Sequence, residues 1–179
     1  MIARMTFDPS WRFVLAFWAA TLVLFGLYLA YVQPLKEVLA PDIYLDLRFD
    51  GYDHPEALAF YEGLGVLGRG FYMRSTLFDT VWPLMIAVSG LLLARKTFRR
   101  GWLVAVLAAG PVAFGLLDLA ENICLIAMNW QFPDFSERLV SVSNALTLAK
   151  QRTIPFAFGA FLGLPVLAAV LAVARPKTA

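Results

Sequence analysis

The chain alternates long apolar runs with short charged segments. Four of the runs are long enough to cross a bilayer, at about residues 11–33, 75–94, 102–128 and 153–174. At ~1.5 Å of rise per residue, about 20 helical residues cover roughly 30 Å of hydrocarbon. Pro83, Gly110-Pro111 and Gly115 fall inside the runs, as membrane helices allow where neighbouring groups satisfy the freed backbone. The pattern predicts an all-α membrane protein: a four-transmembrane-helix bundle forming one integral membrane domain over residues 1–179. Span one is expected to end near Pro34. Arg4 and Arg12 ahead of its apolar run from Phe13 to Val32 give it the look of a signal peptide, but that stretch exceeds the ~7–15 residues of a signal core. An uncleaved first helix is the reading. Span four is expected to continue a helix that begins near Ser136.

The segment between spans one and two, about 34–74, is too long for a turn. Within it Leu45, Leu47 and Phe49 alternate with Asp46 and Arg48, a period of two that predicts a short strand or extended piece over 43–49. Asp50-Gly51-Tyr52-Asp53 reads as a turn. Asp53 is then placed to cap a helix that opens at Pro55 with Glu56 in its first turn. That helix carries Ala57, Leu58, Phe60, Tyr61, Leu64 and Leu67, and is expected at the outer mouth of the bundle or in the interface. The glycines at 63, 65, 68 and 70 allow a bend or close packing.

Composition agrees with the pattern: 60% of residues are hydrophobic and 16% charged, against about 25% charged in soluble domains. A net charge of +2, with no basic tail and no zinc-finger spacing, speaks against a nucleic-acid partner. Arg95, Lys96, Arg99 and Arg100 crowd the gap between spans two and three; Arg4 and Arg12 flank span one, and Arg175 and Lys177 follow span four. The positive-inside rule then puts both termini in the cytoplasm of a cell (inner) membrane and the 34–74 loop outside. Trp11, Trp82, Trp102 and Trp130 lie near span ends, where indoles favour the interface; only Trp18 is clearly deep. Cys124 is alone in an apolar run and reads as a small apolar side chain.

The informative residues are the ionisable ones at membrane depth. Asp79 lies roughly 22 Å up span two from Ala94, and Asp118 roughly 24 Å up span three from Trp102. Glu121 and Asn122 follow Asp118 at i+3 and i+4, on the same helix face. A carboxylate facing lipid costs several kcal/mol, so these groups must turn inward and find partners. Arg74 one turn from Asp79, and Lys150 and Arg152 at the start of span four, offer cations; Asn144, Thr147 and Gln151 share or neighbour the Lys150 side. His54, in the outer loop, lies near the expected mouth.

The reading is an outward-facing polar intramembrane pocket that binds a lipid or other amphiphilic ligand at the outer leaflet. Its expected contacts are Arg74, Asp79, Asp118, Glu121, Asn122, Thr147, Lys150, Arg152 and His54. One alternative is a lipid-modifying enzyme in which Asp79, Asp118 and Glu121 act as general acid and base or hold a hard divalent cation; no metal or cofactor motif identifies one. Another is a structural or assembly subunit with a membrane-protein partner or as a homodimer. Gly159 and Gly163 form a GxxxG on span four that permits close helix approach; an internal packing seam is the preferred reading over a dimer site.

Overall fold

The computed structural model describes residues 9–39 and 43–174. Four helical rods in it are long and apolar enough to span a membrane, and there is no β-sheet among the described residues. The first rod is α1 (Trp11–Leu27), a π turn (Tyr28–Val32) and α2 (Gln33–Leu39). The Ser10 hydroxyl caps α1 by accepting the Phe13 N–H at 3.2 Å. Pro34 does not end this rod, contrary to expectation. Gln33 N–H bonds the Tyr28 carbonyl five residues back, and this widened turn accommodates the missing N–H of Pro34.

Residues 43–49 form no strand. A 3-10 turn spans Leu45–Leu47, with Leu45 and Asp46 buried while Leu47 and Phe49 are exposed. The alternation failed because an ion pair draws Asp46 inward, so its face is not the solvent face. Gly51 follows at φ +80°, a conformation that suits glycine. A Cβ there would lie 2.6 Å from Asn144 Oδ1.

α3 (His54–Asp79) opens with a full capping box. Asp53 Oδ1 accepts the Glu56 N–H at 2.9 Å, and Glu56 Oε2 accepts the Asp53 N–H at 2.8 Å. Ala57, Phe60, Tyr61 and Leu64 are buried, whereas Leu67 is exposed. This first half of α3 covers the end of the bundle with an aromatic core that includes Tyr44, Tyr72 and Phe135. Gly65, at φ +61°, bends the rod from the cap into the span. Arg69 Nη1 donates to the Tyr61 carbonyl at 3.1 Å, and its guanidinium lies 4.4 Å from the Phe132 ring centre, so it satisfies a carbonyl that the bend frees. The helix therefore runs well back into the expected loop, and residues 54–97 form one bent rod through α4 (Val81–Thr97).

α5 (Gly101–Gln131) and α6 (Glu137–Ala174) are the longest helices. Ser136 accepts the Leu139 N–H at 3.2 Å and so begins α6 where the sequence suggests. A Cβ on Gly90 would meet Pro111 at 2.5 Å, and one on Gly115 would meet the Pro83 carbonyl at 2.8 Å; these glycines let α4 and α5 approach closely. Gly159 and Gly163 are exposed with nothing near their Cβ positions, so the expected internal seam is overturned. The two lie on an outward groove between α5 and α6. Helix α1 packs on α4, where Thr21 and Ser89 share a buried 3.1 Å hydrogen bond, and reaches α6 through Trp18, whose indole donates to the Phe161 carbonyl at 3.0 Å.

Candidate functional site

A buried polar layer lies at the end of the bundle that carries the α2–α3 connection. Asp79, Asp118, Glu121, Asn122, Thr147 and Lys150 are all at most 5% exposed. Lys150 is the hub. Its ammonium lies 3.3 Å from Asp118 Oδ1 and pairs with Glu121 Oε2. Thr147, one turn before Lys150 on α6, donates to Glu121 Oε1 and also to the Ser143 carbonyl at 3.1 Å. Asn122 donates to Asp118 Oδ2 at 2.9 Å and to Thr80 Oγ1 at 3.3 Å. The spacing of 118, 121 and 122 on α5 and of 143, 147 and 150 on α6 faces the two sets toward each other.

Asp79 differs from its neighbours. Its Oδ1 accepts the Trp82 indole N–H at 2.7 Å. Among the described residues no ammonium or guanidinium stands within ion-pair distance of it.

Two charged residues join this layer that sequence reasoning left among the loop charges. Lys36, on α2, is 1% exposed and its ammonium lies 3.6 Å from Asp46 Oδ2. The same ammonium lies 4.6 Å from the centre of the Tyr44 ring and 5.5 Å from that of Tyr28, within cation–π range. Burial works against the charge on Asp46, but Lys36, Lys150 and its own backbone N–H hold its carboxyl below the usual carboxylate range. Burial also pushes the Tyr44 and Tyr52 phenols up to about 12. The Tyr52 hydroxyl donates to Ser143 Oγ at 2.7 Å, and Asn144 Oδ1 accepts the Tyr52 N–H at 3.1 Å. The connection between the first two rods is thus fastened to the face of α6 that carries Thr147 and Lys150.

Three expected contacts lie elsewhere. Arg74 and Arg152 are exposed. Five residues separate Arg74 from Asp79, which is about 140° around a helix, and two separate Arg152 from Lys150, about 200°; neither shares its neighbour's face. His54 is held at the α5–α6 turn, its Nε2 3.0 Å from the Phe135 carbonyl and its ring against that of Phe135.

A cavity of about 350 Å³ adjoins the polar layer, at the small end of the ~300–1,000 Å³ typical of small-molecule sites. Asp46, Asp79, Asp118 and Lys150 line its polar side. Phe25, Tyr28, Trp82, Phe114 and Phe158 form its aromatic side, packed on one another with ring centres 4.6–6.4 Å apart. Trp82 therefore belongs to the site wall and not to the interface where the sequence placed it; its 8% exposure contrasts with the exposed Trp102 and Trp130. Leu29 and Phe49 sit on the rim and are themselves exposed, Phe49 at 73%. Glu121 and Thr147 stand behind Lys150 and do not line the cavity.

Such an arrangement can hold a polar head among carboxylates and an ammonium while an apolar tail lies along aromatic rings. No group of three or more His, Cys, Asp and Glu side chains that could hold a metal ion occurs among the described residues. Comparison with known proteins returns no matching family model, curated protein or solved structure.

Proposed function

We propose that this multi-pass membrane protein binds an amphiphile, a lipid or a lipid-like small molecule, in the cavity between α1, α3–α4, α5 and α6. The polar head sits against Asp46, Asp79, Asp118 and Lys150, and the tail runs along Phe25, Leu29 and Phe158. The observation that carries this reading is the continuity of one cavity from buried ionisable groups to an aromatic wall with an exposed apolar rim. A network that only joined helices would have no use for that space, since buried polar groups are most cheaply satisfied by direct contact. By the positive-inside rule, the Arg95–Arg100 connection and both termini face the cytoplasm, which turns the cavity toward the outer leaflet of a cell membrane.

The enzyme reading loses Glu121 as a ready acid or base, because its two carboxylate oxygens are engaged, one by Thr147 and one by Lys150. Native mass spectrometry with identification of co-purifying molecules tests the binding reading. A single species that accompanies the parent chain and is lost from Asp118→Asn supports it. An unchanged lipid profile with a lower melting temperature assigns the polar layer to helix packing alone.

A further inference from the structure

The charges of the polar layer do not balance. Among the described residues, four buried carboxylates, Asp46, Asp79, Asp118 and Glu121, share the space with two buried ammoniums, Lys36 and Lys150. On the cavity wall itself the disparity is sharper: Asp46, Asp79 and Asp118 stand against Lys150 alone. Lys150 is already committed to Asp118 and Glu121, and Lys36 to Asp46. Asp79 has two neutral donors beside it, the indole of Trp82 and the hydroxyl of Tyr28, and among the described residues no cation within ion-pair distance. Asp46, 5% exposed, keeps a second oxygen, Oδ1, with no hydrogen-bond partner. The cavity thus presents one carboxylate without a close cation, one buried acceptor without a donor, Asp46 Oδ1, and one buried neutral donor without an acceptor, Gln151 Nε2; the amide carries no charge and leaves the surplus of carboxylates unbalanced.

Buried charge in surplus is expensive, and either protons or a bound cation must offset it. The rest of the wall distinguishes the two. Phe25, Tyr28, Trp82, Phe114 and Phe158 surround the space beside these carboxylates, and aromatic faces attract a cation through their quadrupoles. A proton on a carboxyl needs neither the space nor the rings. The molecule already uses the same device once, where the Lys36 ammonium sits between Asp46 and the Tyr44 ring.

From the uncompensated Asp79, the unpaired Asp46 Oδ1 and the aromatic wall, we infer that the ligand head is a protonated organic amine. Its N–H groups donate to Asp46 and Asp79, and its chain lies along Phe158 and Phe25. This rests on the amphiphile-binding reading and narrows it to cationic amphiphiles.

The test uses the full chain in discs of zwitterionic lipid at pH 7, with octylamine, octanol and octanoate as probes. They share a chain and differ in head charge. Binding is read from tryptophan fluorescence, corrected for partition into empty discs. Octylamine is expected to bind about thirtyfold more tightly than octanol, the scale of one desolvated cation–aromatic contact, and octanoate most weakly. Asp79→Asn narrows the octylamine–octanol gap; Asp46→Asn does the same should the first variant fail to fold. The probe series on the unaltered chain is decisive without either. Equal binding of all three overturns the cationic inference and leaves the amphiphile reading standing. Tightest binding of octanoate overturns it in favour of the lysines as specificity groups. Failure of all three to bind removes both readings.

Discussion

The Lys36 ammonium lies 3.6 Å from Asp46 Oδ2, and both side chains are buried. This pair joins α2, which continues the first membrane rod, to the 3-10 turn that closes the cavity. Removing one partner strands the other charge in a poorly solvating place, at a cost of about 3–5 kcal/mol. Lys36→Met is therefore expected to be strongly destabilising, and Lys36→Met with Asp46→Leu to recover most of the loss. Thermal unfolding of the four members of this cycle in one detergent checks it; additive losses would mean that the two residues do not act as a pair.

How much of this was visible beforehand differs by residue. The four spans and the inward turn of Asp79, Asp118 and Glu121 follow from the cost of charge in hydrocarbon and from helical spacing, and both are local properties of sequence. Lys36 and Asp46 were not legible as site residues. Both lie in the charged connection between spans, and nothing in their neighbours says that the chain folds back to bury them. The one available signal was Leu45-Asp46-Leu47, a carboxylate between two leucines, and its alternation was misread as a strand. Arg74 and Arg152 lie near the height of Asp79 and Lys150 but not on their helix faces, and height alone brings no side chain into a site. Trp82 was misplaced because its position near a span end says nothing of which way the ring points.

Tyr44 and Tyr52 make the fold sensitive to alkali. Burial pushes both phenols up to about 12, whereas an unfolded chain releases the phenolic proton near pH ~10. The folded state holds the protons more tightly, so this contribution to stability is intact below pH ~10 and is lost as pH rises toward about 12. Melting temperatures between pH 8 and 12 should fall along that interval, and Tyr44→Phe with Tyr52→Phe should flatten the decline. A slope unaltered by both changes would assign the loss to other groups.

Thr147 holds Glu121 in place for Lys150. Thr147→Val keeps the shape and deletes the donor, and a hydrogen bond to a charged group contributes about 1.5–3 kcal/mol. A loss of that size is expected, with Thr147→Ser recovering most of it. A loss for Ser with none for Val would show that the methyl group, and not the hydroxyl, matters.

The two glycine sites behave oppositely. Gly51→Ala forces a side chain into a left-handed backbone and against Asn144 Oδ1, at a cost of about 1–3 kcal/mol. It also disturbs the bond from Tyr52 N–H to Asn144 that fastens the connection between the first two rods. Gly159→Ala has open space and gains up to about 1 kcal/mol of helix propensity. Unfolding midpoints of the two variants should move in opposite directions.

The most direct test of the binding site is photolabelling. An amphiphile with a diazirine in its alkyl chain is irradiated with the protein in lipid discs, and the modified peptides are mapped by mass spectrometry. Label on the first rod at Phe25 and Leu29 and on α6 at Phe158 and at Ile154, which also lines the cavity, displaced by excess unlabelled amphiphile, is the predicted result. Label confined to exposed positions away from the cavity, such as Val106 on α5 and Val173 on α6, with no displacement, would contradict the account.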